Sequence, residues 1–168
     1  VKHVKEKKRI EYKNAWLEIY DIPVLYFPYF FHPDPTIKRQ SGFLFPQFIN
    51  SSNLGFSTQI PYFKAIDYDK DITISPRIYT NNNLFLQTEY RQAFENSDFT
   101  ADFSINENDN TNTHLFSLLK GDFKNSFYEI RIETVSNDNY LKRYQIKSPL
   151  IKNYSTLNSK FSVETISD

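Results

Sequence analysis

Apolar and polar side chains alternate with a period of two residues along much of the chain. Between residues 71 and 79, Ile72 and Ile74 fall on one side of an extended backbone. Thr73 and Arg77 fall on the other side. A helix repeats every 3.6 residues, so this alternation predicts strands with one apolar face. The same alternation recurs at residues 84–91, 99–106 and 126–134. We therefore predict an all-β fold.

The length of these segments narrows the kind of sheet. Segments of about 9 to 11 residues match a tilted strand that crosses a membrane, whereas strands of soluble domains commonly have about 5 to 6 residues. Asparagine-rich connections, as at residues 81–83 and 106–112, favour antiparallel hairpins. Sixteen phenylalanines and twelve tyrosines also favour strands. The pattern is therefore more typical of a membrane barrel than of a soluble sandwich.

Composition argues against several classes of function. Twenty basic and twenty acidic side chains give a formal net charge of zero, which does not favour nucleic acid as a partner. The absence of cysteine excludes thiol catalysis and thiolate metal sites. His3, His32 and His114 are too dispersed to predict a metal site. We expect no catalytic residue, no metal, no cofactor and no enzyme activity.

Proline interrupts the first part of the chain. Proline lacks a backbone N–H, so its positions exclude a helix and predict an edge strand, a bulge or a loosened pairing. Residues 22–46 comprise two aromatic runs joined by a short basic hinge, and their prolines are Pro23, Pro28, Pro33, Pro35 and Pro46. Pro46 and Pro61 fall within consecutive predicted strands at residues 42–50 and 54–66. In hydrocarbon an unpaired backbone group costs several kcal/mol, so a functional reason for these two prolines is plausible. The alternative is that they mark bulges or strand ends of a soluble sandwich.

The order of these motifs resembles the LPS-assembly protein family LptD, also called organic solvent tolerance protein. The first matching stretches are Pro23-Val-Leu-Tyr-Phe-Pro-Tyr-Phe30, Pro33-Asp-Pro35, Lys38-Arg39 and Ser41-Gly42-Phe43-Leu44 with Pro46. Further matches follow in the same order at residues 54–56, 60–63, 71–79 and 89–92. A series of matches in order is more specific than any single motif.

The resemblance implies a division of the chain, because in that family a periplasmic β-jellyroll is followed by an outer-membrane β-barrel. Residues 1–31 would be the C-terminal strands of the jellyroll, and residues 32–40 a hinge. Residues 41–168 would be the N-terminal strands of an incomplete barrel, whose full size is about 26 strands. In the first region we predict strands at residues 3–12, 15–20 and 24–31. Near the end we predict a long loop with a short strand at residues 140–155, then a strand at 157–165.

The resemblance also implies the site residues. In the family, the first and last barrel strands form a weakly paired seam through which lipopolysaccharide leaves sideways, so Pro46 and Pro61 are expected to form this lateral gate. The predicted handover from jellyroll to barrel comprises Pro23, Tyr26, Pro28, Pro33, Pro35, Lys38, Arg39, Ser41 and Gly42. A groove for acyl chains, or simply a sandwich core, would be formed by Trp16, Leu17, Ile19, Val24, Leu25, Tyr26, Phe27 and Tyr29. Lys38 and Arg39 would lie where lipid phosphates pass, or would anchor the barrel rim at lipid headgroups.

The implied function is transport of lipopolysaccharide and its assembly into the outer leaflet of the outer membrane, without catalytic turnover. The implied partners are lipopolysaccharide, the lipoprotein LptE inside the barrel, and the periplasmic bridge protein LptA, whose contact we expect outside this chain. The N-terminal part would be periplasmic. The chain starts without Met and ends in mid-pattern at Asp168, so we interpret it as an internal fragment.

Two other functions are open at this point. Another outer-membrane barrel, such as a porin or a transporter, would share the alternation but would need neither Pro46 nor Pro61. A soluble all-β ligand-binding module would turn Ile72, Ile74 and Phe103 into a closed core.

Overall fold

The computed structural model describes residues 2–4, 9–19, 21–33, 39–52, 54–80, 83–107, 111–151 and 153–165. These residues form antiparallel strands and one short helix, which confirms the predicted all-β fold. Among them, no helix is long and apolar enough to cross a membrane.

The first three strands form a small sheet. In the order in which they pair, they are β1 (Lys2–Val4), β2 (Arg9–Ile19) and β3 (Ile22–Pro33). The predicted strands at 3–12 and 15–20 are wrong, because β2 runs unbroken through Asn14. Asn14 has a φ of 51° and lies level with Pro28, while the pairs on both sides keep their register. Asparagine tolerates this conformation, so the position is an irregularity within a strand and not a turn.

Ten further strands of the described chain form a large sheet. They are β4 (Gly42–Phe43), β5 (Gln47–Ser51), β6 (Gly55–Gln59), β7 (Tyr62–Ala65), β8 (Lys70–Tyr79), β9 (Leu84–Ala93), β10 (Ser97–Glu107), β11 (Thr111–Phe123), β12 (Ser126–Val135) and β13 (Lys160–Thr165). Their order is β13-β12-β11-β10-β9-β8-β6-β5, with β7 also beside β8 and β4 beside β7. Strands β5 and β13 are therefore at opposite edges.

Strand β11 is one that the alternation did not predict. It has 13 residues and pairs with β10 and β12 along its length. Leu115 and Leu119 fall on one face, and Phe116 and Leu118 fall on the other. Because both faces are apolar at these positions, the strand has no clear period-two signal.

The two faces of the large sheet differ in chemistry, as the alternation predicts. The register of β8, β9 and β10 brings one set of side chains together on the apolar face: Ile72, Ile74, Ile78, Phe99, Phe103 and Ile105. It brings another set to the polar face: Thr73, Arg77, Thr100 and Asp102. Many large side chains of the apolar face are exposed, including Ile78, Leu84 and Phe103.

A loop between β12 and β13 covers part of the polar face. This covering loop, residues 136–151 and 153–159, contains the helix α1 (Tyr140–Arg143). The short strand predicted at residues 140–155 is wrong, because the described residues there contain no strand. The ring of Tyr144 stacks on Phe85 at 5.8 Å between centroids. The buried core that joins loop and sheet comprises Leu54, Tyr79, Phe85, Phe116, Tyr140, Leu141, Tyr144, Ile146, Leu150 and Ile151.

Polar side chains beneath the covering loop are hydrogen-bonded to it. The hydroxyl of Tyr144 donates to Asn106 Oδ1 at 2.6 Å, and the hydroxyls of Tyr140 and Ser104 are 3.0 Å apart. Burial raises the pKa of Tyr140 to about 12, so its hydroxyl keeps its proton. These bonds satisfy polar groups that would otherwise be costly to bury.

Ser104 also contacts His114, whose Nε2 atom lies 3.5 Å from Asp102 Oδ1. These residue types occur in catalytic triads, but Asp102 and Ser104 are 0% exposed and His114 is 1% exposed. A substrate has no access to them while the covering loop is in place. The arrangement therefore supports the attachment of the loop to the sheet.

Phe116→Ala should reduce the free energy of unfolding by about 3 to 5 kcal/mol, because it leaves a cavity between β11 and the covering loop. The measurement is urea unfolding of the full-length protein refolded in lipid. Phe94→Ala is the matched control, since Phe94 is exposed in a turn. Equal losses for the two variants would contradict a core at this position.

Candidate functional site

Aromatic side chains of the small sheet form one wall of a groove. Tyr12 lies opposite Phe30 across the β2–β3 ladder, and Ala15 lies opposite Phe27. Ring centroids are 5.8 Å apart for Tyr12 and Phe30, and 5.6 Å for Phe27 and Phe30. Cross-strand aromatic pairs of this kind stabilise an antiparallel ladder.

The start of the large sheet forms the facing wall. Strands β3 and β4 are in contact, and the residues just after β4 are apolar and largely exposed, with Phe45 at 87%. A cavity of about 320 Å³ is lined by Phe27, Tyr29, Phe30, Phe31, Phe43, Leu44, Pro46 and Ile60. A second cavity of about 260 Å³ is lined by Tyr12, Ala15, Trp16, Phe27, Phe30, Phe45 and Pro46. The two cavities share Phe27, Phe30 and Pro46, and together we call them the junction groove.

Pro46 and Pro61 each divide a predicted strand in two. Residues 44–46 separate β4 from β5, and residues 60–61 separate β6 from β7. Residues 44–46 therefore lie opposite residues 60–61. This is one extra residue on one strand, as in a β-bulge. The backbone N–H of Leu44 donates to the carbonyl of Pro61 at 2.9 Å, so one bond survives within the break.

The backbone nitrogens of Pro46 and Pro61, which carry no hydrogen, face opposite directions in the sheet. The N–H of Ile60 donates to the carbonyl of Pro76 on β8 at 3.1 Å. Backbone groups of successive strand residues alternate sides, so those of Pro61 face β4 and β5. Gln47 lies opposite Gln59, so the backbone groups of Gln47 face β6. By the same alternation the backbone groups of Pro46 face the opposite side, which is the free edge of the sheet beside β5.

A third proline lies in line with the other two. Pro76 on β8 lies opposite Ile60. Its carbonyl accepts a hydrogen bond from the N–H of Ile60, but it has no N–H to donate to the carbonyl of Ile60. Pro46, residues 60–61 and Pro76 therefore lie side by side across three neighbouring strands, and each of the three prolines lacks a backbone N–H there. Pro76 is not among the predicted gate residues, although the three prolines are evenly spaced along the chain.

Arg39 joins the beginning of the large sheet to β8. Its guanidinium donates to the Asp71 carboxylate and to the carbonyl of Tyr68. Asp71 is buried and also accepts from Arg91 Nε at 2.9 Å. The guanidinium of Arg39 is thus already bound, which favours its anchoring role over that of a phosphate ligand.

Ser41 and Gly42 continue this attachment. Ser41 Oγ accepts a hydrogen bond from the N–H of Ala65 at 3.0 Å. Gly42 is buried and lies opposite Phe63. Both residues therefore fix the first strand of the large sheet against β7.

The remaining predicted handover residues are dispersed along β3. Pro23 is exposed next to a register shift, Pro28 is exposed level with Asn14, and Pro33 lies opposite Arg9. Tyr26 packs on Trp16 at 4.7 Å, and its hydroxyl donates to Asn14 Oδ1 at 2.8 Å. Pro35 and Lys38 lie outside the described residues.

Only Pro46, among the predicted gate and handover residues that the structure describes, lines the junction groove. Sequence reasoning missed Phe30, Phe31, Phe43, Phe45 and Ile60 as groove residues. Their signal is the pair of apolar runs on both sides of the hinge, which becomes a site only when the chain folds back. The described residues contain no cluster of histidines and carboxylates that could hold a metal.

Comparison with known proteins places the chain in a family. A family model described as LptD protein matches residues 10–117. The LPS-assembly protein LptD of Pseudoalteromonas atlantica is 33% identical over 136 residues, which are 77% of this chain and 18% of that protein. The protein of the same name from Shewanella oneidensis is 44% identical over 78 residues, or 46% and 10% of the two chains. That of Francisella tularensis subsp. novicida is 29% identical over 164 residues, or 93% and 18%.

The chain spans less than a fifth of the length of these three curated relatives. The family match covers well over half of the 168 residues, and the chain belongs to the LptD protein family.

Proposed function

We propose that this chain is the part of an outer-membrane lipopolysaccharide-assembly protein where lipid passes from a periplasmic jellyroll to the seam of a barrel. The observation that carries the proposal is the junction groove, which is apolar and extends from the small sheet to Pro46 at the edge of the large sheet. In this assignment residues 1–31 belong to the jellyroll, residues 32–40 are the hinge and residues 41–168 begin the barrel.

The junction groove receives acyl chains. Aromatic and aliphatic side chains from both sheets line it, and each buried methylene of a lipid contributes about 0.8 kcal/mol on leaving water. Exposed Phe45 and half-buried Phe30 on its two walls would otherwise contact water. The groove lowers the cost of carrying the apolar part of the lipid between the two sheets.

The large sheet is the barrel wall. Its apolar face contacts the hydrocarbon of the outer membrane, and its polar face with the covering loop faces the barrel interior. Supporting this orientation, Ile78, Leu84 and Phe103 are exposed on one face, whereas Asp102 and Arg77 are buried on the other. A lipid environment supplies the contacts that the apolar face lacks.

Pro46 and Pro61 form the lateral gate, and Pro76 weakens the next ladder. Each proline removes one hydrogen-bond donor, and the donor missing at Pro46 is the one that would pair with a closing strand. A weakly paired seam opens at lower cost and lets an amphiphile leave sideways into the membrane. Family membership further supports LptE as the partner inside the barrel and LptA as the partner of the jellyroll, at a contact outside this chain.

Replacing Pro46 and Pro61 together by alanine should slow lipopolysaccharide export. The donor restored at residue 46 strengthens the seam, and the donor restored at residue 61 strengthens the pairing of the edge strand with the sheet, each by about 0.5 to 1.5 kcal/mol. The measurements are surface lipopolysaccharide and outer-membrane permeability to a large antibiotic in cells that produce the full-length variant. Pro149→Ala, in the exposed part of the covering loop, is the control. Normal surface lipopolysaccharide and permeability at equal protein levels would return both prolines to the role of strand bulges.

Phe45→Gln should reduce lipid capture in the junction groove about tenfold or more, since it removes an apolar wall that contributes roughly 1.5 kcal/mol or more when covered by lipid. A photoreactive residue at Phe43 reports capture as crosslinking to lipopolysaccharide in cells. Phe123→Gln changes an exposed phenylalanine outside the groove and is the matched control. Equal crosslinking in both variants would argue against acyl chains in this groove.

Phe103→Arg in the full-length protein should cost about 2 to 4 kcal/mol of folding free energy if this position lies near the bilayer midplane. The measurement is reversible unfolding in lipid vesicles, with Phe103→Leu as the apolar control. A cost below 1 kcal/mol, in the range of ordinary surface substitutions, would place the apolar face away from lipid.

A further inference from the structure

A polar cavity lies behind the edge strand β5, on the polar face of the large sheet. Its volume is about 260 Å³. Its polar lining comes from four strands and the covering loop and consists of Gln47, Gln59, Gln87, Gln145, Arg77 and Lys147. We call it the amide cavity. The lining contains two cations and four amides but no carboxylate.

Arg77 is a buried cation whose described partners are all neutral. It is 3% exposed, and its Nε and Nη2 atoms donate to Gln59 Oε1 at 2.9 and 2.6 Å. Nη1 donates to the carbonyl of Tyr144 at 2.5 Å and to the hydroxyl of Tyr79 at 3.3 Å. The guanidinium also lies over the ring of Phe85, 4.8 Å from its centroid. A buried charge without a counter-ion is costly, so an anion that reaches it is bound favourably.

The other arginines of the large sheet have carboxylate partners. Arg39 and Arg91 share Asp71, and Arg131 bonds to Glu129 and Glu133. Arg77 thus differs from these arginines in having neutral partners among the described residues.

A carboxylate near the amide cavity is engaged elsewhere. Both oxygens of Asp102 accept from Gln87 Nε2, at 3.0 and 3.1 Å. Within the described residues Asp102 forms no ion pair with Arg77, and its Oδ1 atom lies 3.5 Å from Nε2 of the His114 ring. Gln87 therefore bonds to this carboxylate, and Asp102 itself does not line the cavity.

The amide cavity and the junction groove meet at consecutive residues. Pro46 lines the groove, and Gln47 lines the cavity. A molecule with an apolar end in the groove can therefore reach the cavity with a polar end across the edge of the sheet.

We propose that the amide cavity binds an anionic saccharide group, a phosphate or carboxylate on a sugar ring, of the lipopolysaccharide at the Pro46 edge. Lys147 binds the anion through charge-assisted hydrogen bonds, Arg77 contributes its positive charge from the cavity wall, and glutamine amides of the lining bond to sugar hydroxyls. The inference rests on the proposed function, since it takes the bound lipid to be the one in the junction groove.

The test is photocrosslinking of the purified full-length protein in lipid discs, with a photoreactive residue at Gln145, to intact and to enzymatically dephosphorylated lipopolysaccharide. Lys147→Gln should weaken capture of the intact lipid about tenfold, the size expected for one charge-assisted hydrogen bond. Lys147→Arg should restore it. Lys142→Gln, which removes an exposed cation of the same loop outside the cavity, should leave capture unchanged.

Loss of capture in Lys142→Gln equal to that in Lys147→Gln would overturn the site, because it would indicate a general charge effect. Equal capture of intact and dephosphorylated lipid by the unsubstituted protein would also overturn it. Inorganic phosphate that competes as well as the intact lipid would assign the cavity to a free anion and overturn the saccharide part of the proposal.

Crosslinking from Phe43 separates this inference from the proposed function. Capture at Phe43 without charge-dependent capture at Gln145 would refute the amide cavity alone. Absence of lipid at both positions would refute the proposed function itself.

Discussion

The backbone hydrogen-bond ladder is the constraint on which the rest of this structure depends. A strand residue is stable in a sheet when its N–H and carbonyl are paired, and proline cannot donate. Pro28 is level with Asn14, whose backbone takes a left-handed conformation, and the ladder continues on both sides of it. Pro46 and Pro61 lie where two strands are each divided. The positions of the prolines thus decide where the sheets are regular and where they loosen.

The break in the ladder at the β5 edge places the junction groove on one side of the sheet and the amide cavity on the other. The break before β5 leaves Leu44 and Phe45 outside the strands, where they line the junction groove together with aromatic side chains of the small sheet. On the other side of the same edge, Gln47 faces the polar cavity that contains Arg77. An apolar and a polar surface thus meet across two consecutive residues, which suits an amphiphilic ligand.

The charges of the large sheet have two kinds of environment. Arg39 and Arg91 pair with the buried carboxylate of Asp71, and the Arg39 pair attaches the beginning of the sheet to β8. Arg77 instead donates to the carbonyl of Tyr144 in the covering loop, and its hydrogen-bond partners among the described residues are neutral. Membership in the LptD family favours neither a porin nor a soluble binding module, the two alternatives that the alternation left open.

The sequence by itself determined the all-β class, the chemistry of the two faces and the places where strands loosen, because period-two alternation and proline act through local backbone geometry. It did not reveal β11, whose two faces are both apolar because Phe116 and Leu118 pack against the covering loop. The tertiary structure alone decided the junction groove, the carboxylate that Arg39 binds and the neutral groups that surround Arg77. These depend on residues such as Phe30 and Phe45, or Arg77 and Tyr144, that are distant in the chain and meet only after the register is set.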